Sequence, residues 1–168
     1  MSKITDFYPL IGKVVVAFQE VDFLINLMFA SLLREQPDIS MAVATSLSFS
    51  KKLNVLKAIS QFKIRASDLQ ARLDEVIKKL GRAEDERNRI VHAAWIPSSV
   101  DDKVFFHKPR ITQKHGVKNG GIRESFPSEI EETLQSIGDA KQELLEFLGE
   151  LERKSIIRTR MFGGEKKK

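Results

Sequence analysis

Apolar residues recur at helical spacing through three long stretches of the chain. The first runs from Pro9 to about Arg34, and the second, from about Ser67 to Trp95, has apolar residues three and four positions apart. A third pattern follows Ser128, which fits a capping box with the glutamate three residues later. These patterns predict three long amphipathic helices.

Two shorter helices are predicted between the first two long ones. Asp38 or Ser40 is a candidate N-cap for a helix that reaches Leu47, and Ser50 is a candidate N-cap for another that reaches Phe62. The sequence therefore predicts an all-α, up-and-down bundle of about four to five helices.

The hydrophobic pattern changes between residues 97 and 127. The run 98–102 is typical of a turn, Lys103–His107 and Arg110–Gln113 are candidate short strands, and Asn119-Gly120-Gly121 is a strong turn signal. We expect a small β-hairpin or loop insertion before the last helix. The segment is also basic, so it is either a solvated hairpin or a surface that follows a phosphate backbone.

The length and composition predict one domain. The chain has 168 residues, of which 42% are hydrophobic, enough for one sizeable core. We expect a single domain at residues 1–152 and a basic, flexible tail at 153–168. The most apolar run, Val21–Leu33, is too short and too polar for a bilayer span. The N-terminus has no signal-peptide pattern, so a cytoplasmic protein without membrane contact is expected.

Composition limits the possible chemistry. The chain has no cysteine, and its three histidines, His92, His107 and His115, are scattered along the sequence. This pattern argues against a metal site, and nothing in the sequence calls for a cofactor. The net charge of +5 suits a polyanionic partner such as RNA, although a modest positive charge also serves solubility alone.

One charged residue interrupts the apolar stripe of the second long helix. Continuing the spacing from Leu80 and Ala83 towards Ile90 arrives at Arg87. A guanidinium is costly to bury without partners, so Arg87 is expected to meet a carboxylate, a polar cleft or an anionic ligand. Glu20 and Asp22, which interrupt the first helix, are its candidate partners.

Further polar residues surround Arg87 on the same helix. Asn88 and His92 are four positions apart and share a helix face, whereas Arg87 lies about 140° from His92. Glu84 lies between the stripe and the Asn88 side. The four residues predict a polar wall, either a reactive site or a structural set in which Arg87 pairs with Glu20 or Glu84 and Asn88 bonds His92.

The run Arg87-Asn88-Arg89-Ile90-Val91-His92 resembles the R-N-x-x-x-H motif of the HEPN domains, whose ribonuclease members carry it at the end of a long helix. The resemblance extends to a long first helix with an internal acidic residue, a helix opening near Ser50, and a C-terminal amphipathic helix. It implies a helical bundle that dimerises, so that two motifs share one cleft in which RNA is cut without a metal.

The resemblance also implies roles for individual residues. Arg87 and His92 correspond to the catalytic pair, Asn88 to a position that contacts the substrate phosphate, and Glu20 to an acidic position on the first helix. The RNA 2′-hydroxyl is the nucleophile, so 2′,3′-cyclic phosphate and 5′-hydroxyl ends are expected, with His92 as general base or general acid. The implied biological role is a toxin or defence component with a possible antitoxin partner. Two alternatives are a non-catalytic nucleotide- or RNA-binding module and a helical dimerisation or interaction protein.

Overall fold

The structure, a computed structural model, describes residues 3–33, 37–101, 103–108, 110–112, 116–118 and 121–157. Over these residues the chain forms five helices and a small antiparallel sheet that precedes the last helix. The predicted fold class, an all-α bundle with a small β insertion, is confirmed.

The elements follow the order expected from the hydrophobic pattern. The helices are α1 (Ile4–Leu32), α2 (Pro37–Ser46), α3 (Phe49–Lys63), α4 (Ser67–Val91) and α5 (Pro127–Arg153). The strands are β1 (Ala94–Pro97), β2 (Val104–His107), β3 (Arg110–Thr112), β4 (Gly116–Lys118) and β5 (Arg123–Glu124).

Helix α1 begins earlier than Pro9, the residue predicted for its first turn. The backbone N–H of Lys3 donates to the Asp6 carboxylate at 3.0 Å, and the Asp6 N–H donates to the Lys3 carbonyl at 2.9 Å. These bonds satisfy groups that a helix start leaves unpaired, which is why the helix can begin at Ile4. Pro9 lies inside the helix.

The two short helices also begin before their predicted caps. Helix α2 starts at Pro37, whose fixed φ suits a first helical position, and Asp38 lies in its first turn. The N-cap of α3 is Ser48 rather than Ser50, and Ser48 caps through its extended backbone without a side-chain hydrogen bond.

Helix α4 ends at Val91, four residues before the predicted end at Trp95. The Trp95 indole N–H donates to the Ile90 carbonyl at 3.1 Å, which satisfies one of the carbonyls at the helix end. The ring lies 5.3 Å from the rings of both Phe7 and Phe106. Strand conformation at residues 94–97 is what brings Trp95 to these partners, and it overrides the helical pattern.

The insertion is a sheet that starts at Ala94 rather than Pro97. Strands β1, β2 and β5 form a three-stranded antiparallel sheet in that order, and β3 pairs with β4. The turn predicted at residues 98–102 is described as far as Asp101, where the Ser98 hydroxyl accepts from the backbone N–H groups of Val100 and Asp101. The predicted turn at Asn119-Gly120 lies outside the described residues.

Helix α5 starts at Pro127, so Ser128 lies inside the helix instead of capping it. At the other end, Ser155 has a left-handed φ of 57°, and Ile156 N–H donates to the Leu151 carbonyl at 2.9 Å. This closure buries Ile157, so the first residues of the predicted tail are folded. Residues 158–168 lie outside the described part of the chain.

The chain divides into two compact units, each with its own buried residues. Unit 1 comprises residues 1–20 and 82–140, and unit 2 comprises 21–81 and 141–168. The largest fully buried side chains of unit 1 are Phe7, Ile90, Ile130 and Ile137, and those of unit 2 are Ile25, Met28, Phe29, Leu56, Ile64, Leu69, Leu80 and Phe147. The residues of the HEPN-like motif all lie in unit 1.

Helix α1 is long and apolar enough, by length and composition, to cross a membrane. Half of its most apolar 18-residue window is buried within the protein, and the core helix of a water-soluble protein meets the same criterion. The helix is therefore weak evidence for a membrane span.

Candidate functional site

Arg87 is half-buried on α4, on the stripe where the sequence placed it. Its Nη1 donates to the amide oxygen of Asn88 at 2.9 Å, and its guanidinium carbon lies 5.6 Å from the centre of the Phe18 ring on α1. Its Nε is buried and has no hydrogen-bond partner in the described part of the chain. The aromatic face attracts the cation, but it does not neutralise the charge.

The contacts of Arg87 differ from those of a structural ion pair. Among the described residues, no carboxylate forms an ion pair with Arg87; its partners are an amide and an aromatic ring. Asp22, one of the two partners predicted for it, instead binds Lys52 through both carboxylate oxygens, at 2.7 and 2.8 Å. A half-buried guanidinium that forms no ion pair with a described carboxylate keeps a positive charge that an anion can approach from its exposed side.

Asn88 and His92 have the predicted helical relation. The backbone N–H of His92 donates to the Asn88 carbonyl at 3.2 Å, so the last turn of α4 extends to His92. The His92 side chain is exposed, and the half-buried Asn88 side chain bonds Arg87. The structural interpretation expected Asn88 to bond His92, whereas its amide oxygen orients the guanidinium and leaves the imidazole facing solvent.

The two predicted supporting carboxylates lie on different helices. Glu84 is half-buried on α4, one helical turn before Asn88, and Glu20 is exposed on α1, two residues after Phe18. Their roles as supporting residues remain predictions.

A second polar cluster lies where the sheet meets the start of α5. Glu129 accepts two hydrogen bonds from the Arg123 guanidinium, at 2.5 and 3.0 Å, and one from the Ser125 hydroxyl at 2.7 Å. The Arg123 hydrogen bond holds the pKa of Glu129 below its ordinary value, with help from Ser125 and the charge of Arg89. The same bond raises the pKa of Arg123.

Arg123 is the residue of the basic insertion whose contacts are described in most detail. Its guanidinium is paired with Glu129 and lies 5.0 Å from the Phe106 ring centre, so it contributes to the local structure. Lys108 is half-buried next to β2. Lys114 and His115 lie outside the described residues, and no side-chain position is described for Arg110 or Lys118.

Two site neighbours were not anticipated from the sequence. Phe18 looked like an ordinary core residue of α1, and only the fold places its ring against Arg87. His107, the last residue of the candidate strand Lys103–His107, is half-buried at the end of β2, and its buried Nδ1 has no hydrogen-bond partner among the described residues. The alternation Val104-Phe105-Phe106-His107 places Val104 and Phe106 on the core face and His107 on the opposite face, so no sequence pattern signalled the burial of Nδ1.

The described side-chain contacts join Arg87 to Asn88 and to Phe18, and none of them joins Arg87 to His92. Arg87 offers guanidinium donors that Asn88 orients, and His92 offers an exposed imidazole one turn later. Within the described residues, no group of three or more histidine, aspartate and glutamate side chains could hold a metal ion.

Comparison of the chain with models of protein families, with curated proteins and with solved structures finds no match.

Proposed function

We propose that the protein is a metal-independent endoribonuclease of HEPN type that acts as a homodimer. In this proposal it cleaves RNA by attack of the 2′-hydroxyl on the adjacent phosphate and leaves 2′,3′-cyclic phosphate and 5′-hydroxyl ends. It would act in the cytoplasm as a toxin or defence component, with an antitoxin protein as a possible further partner.

The observation that carries the proposal is the state of Arg87. A half-buried guanidinium without an ion-pair partner among the described residues, held by Asn88 and over Phe18, is a poor structural element. Leaving such a charge without a carboxylate costs stability, and that cost is reasonable where the charge serves a ligand. The exposed His92 on the same helix then supports RNA as the ligand. RNA offers a phosphate that an arginine can bind and a neighbouring 2′-hydroxyl with which a histidine can exchange a proton.

The proposed chemistry needs no group that the chain lacks. One imidazole takes the proton of the 2′-hydroxyl, the 2′-oxygen forms a bond to phosphorus, and the bond from phosphorus to the 5′-oxygen breaks. The 5′-oxygen receives a proton from the protonated imidazole of the second copy in the dimer. Arg87 would stabilise the negative charge that develops on the phosphate oxygens, and Asn88 would hold Arg87 in position.

A second copy of the chain supplies the second set of groups in this proposal. Arg87 and His92 project about 140° apart on one helix, so two copies facing each other bring complementary groups to one phosphate. Helix α1 carries two exposed apolar side chains, Tyr8 and Val16, which are 61% and 62% exposed and could be covered by a second copy.

The test is incubation of the purified protein with structured and unstructured RNAs in excess chelator, followed by analysis of the product ends. We expect cyclic-phosphate ends from the wild type and a loss of roughly a hundredfold or more in cleavage rate for His92→Ala and Arg87→Ala. Arg82→Ala, an exposed arginine on the same helix and in the same unit, is the matched control and should cleave normally.

Sedimentation of the same preparations reports the oligomeric state and shows whether the variants stay folded and dimeric. Full activity in both His92→Ala and Arg87→Ala would overturn the proposed active site. Tight, salt-sensitive RNA binding without cleavage would favour a non-catalytic binding module. Neither binding nor cleavage, with Arg87→Ala lowering stability, would favour a helical interaction protein.

A further inference from the structure

His107 occupies the open face of the three-stranded sheet. Along β2, Val104 and Phe106 are buried, whereas Phe105 and His107 are half-buried. Because successive side chains of a strand point to opposite faces, His107 lies on the face that is not packed into the core. It is therefore a histidine with partial solvent access on an ordered strand.

Strand pairing places His107 next to the end of the HEPN-like motif. His107 is the antiparallel partner of Ala94, which follows His92 by two residues. The Cα atoms of Ala94 and His107 are roughly 5 Å apart across the strand pair, and those of His92 and Ala94 are at most about 7 Å apart along the chain. The Cα atoms of His92 and His107 therefore lie within roughly 12 Å of each other. Both residues belong to unit 1, so the sheet itself fixes this proximity.

The buried edge of the ring restricts its chemistry. Nδ1 is buried and finds no hydrogen-bond partner among the described residues. A proton on Nδ1 would leave a buried donor unsatisfied, so the favoured neutral tautomer carries its proton on Nε2. The ring then presents an N–H donor from its other edge.

The charged groups near Phe105 are of both signs. Asp101 and Glu124, the latter across β2 from Phe105, have their carboxylates 3.6 and 3.8 Å from the Lys103 ammonium group. An anion contact at His107 therefore depends on the imidazole itself and not on the surrounding charge.

We propose that His107 is a further substrate-binding residue of the same site, donating its Nε2–H to a phosphate oxygen of the RNA strand beside the cleaved phosphate. This inference rests on the proposed function, because RNA is the anion that it assigns. It extends the site from α4 onto the open face of the sheet and gives the insertion a role in holding the substrate.

The test compares two amides that mimic different edges of the imidazole. The side-chain nitrogen of glutamine can occupy the place of Nε2, whereas the amide of asparagine reaches only the place of Nδ1. Binding of a fluorescein-labelled, fully 2′-O-methylated RNA, which lacks the nucleophile, is measured for the wild type, His107→Gln and His107→Asn at one salt concentration. We expect His107→Gln to bind within about threefold of the wild type and His107→Asn to bind roughly tenfold or more weakly.

Equal binding by the asparagine variant and the wild type, or equal losses in both variants, would overturn the contact. His107→Ala replaces His107→Asn if the latter fails to fold, as judged by its thermal midpoint. The two proposals fail separately in this design. If the wild type binds the methylated RNA but cleaves no RNA, the proposed ribonuclease activity is wrong. The comparison of His107→Gln with His107→Asn still decides whether His107 contacts the phosphate.

Discussion

Lys52 and Arg87 are both cations on apolar helix faces, and the protein satisfies them in opposite ways. Lys52 is buried on α3 with 3% of its surface exposed, and both oxygens of Asp22 accept from its ammonium group. Arg87 is less buried, and within the described residues it contacts an amide oxygen and an aromatic ring instead of a carboxylate. One cation is neutralised, and the other is held in place with its charge intact.

The difference separates a structural charge from a candidate functional one. A buried ammonium group must keep its counterion, because removing either partner leaves a charge in a low-dielectric environment. A guanidinium that is oriented but not neutralised costs some stability and keeps its capacity for a ligand. We expect three substitutions at charged residues to lower the free energy of unfolding by amounts that range from a large loss to almost none.

The largest effect is expected for Lys52→Met. The variant leaves the Asp22 carboxylate without its partner, and the expected loss is about 2 kcal/mol of unfolding free energy, because the 22% exposure of the Asp22 side chain allows partial hydration. Urea unfolding measures it. Adding Asp22→Leu to the same variant should recover most of the loss, and a wild-type midpoint for the single variant would show that the pair is not structural.

A smaller effect is expected for Glu129→Gln, which breaks the partly exposed pair with Arg123. The expected loss is about 1 kcal/mol near neutral pH. Because Arg123 lowers the pKa of Glu129 in the folded protein, the stabilisation is present above the ordinary carboxyl value of 4.5 and is lost as the pH falls through the lowered value.

Urea unfolding at about pH 7 and about pH 3 tests the sign of this pH dependence. The difference in unfolding free energy between the wild type and Glu129→Gln should be smaller at the acidic pH. Ser125→Ala, which removes the other hydrogen bond to Glu129, should lower stability by less than Glu129→Gln does. A difference in unfolding free energy that grows in acid would contradict a lowered pKa of Glu129 in the folded protein.

The smallest effect on stability is expected for Arg87→Met. Methionine removes a buried Nε that has no partner among the described residues, and it keeps apolar volume against Phe18. The free energy of unfolding should therefore stay within about 0.5 kcal/mol of the wild type or rise slightly. Urea unfolding measures the stability of the variant, and the cleavage assay measures its activity. A loss as large as that of Lys52→Met would make Arg87 structural and remove the contrast.

The sequence predicted the helices better than their ends. The spacing of apolar residues located the five helices of the described residues and the candidate strands Lys103–His107 and Arg110–Gln113 almost where they occur. It misplaced the end of α4, because Trp95 finds the Phe7 and Phe106 rings only when residues 94–97 become a strand. Tertiary contacts decide such ends, since a helix can stop wherever its last carbonyls find other donors.

What the sequence determined by itself is local. Periodicity fixed the helical fold, put Arg87 on the apolar stripe, and set the one-turn relation between Asn88 and His92, because these follow from 3.6 residues per turn. Only the tertiary structure decided which charges meet. In the folded protein Asp22 binds Lys52, Arg87 contacts Asn88 and Phe18, and His107 lies beside the end of α4. Partners that are distant in sequence are selected by the packing of helices and strands and not by their spacing along the chain.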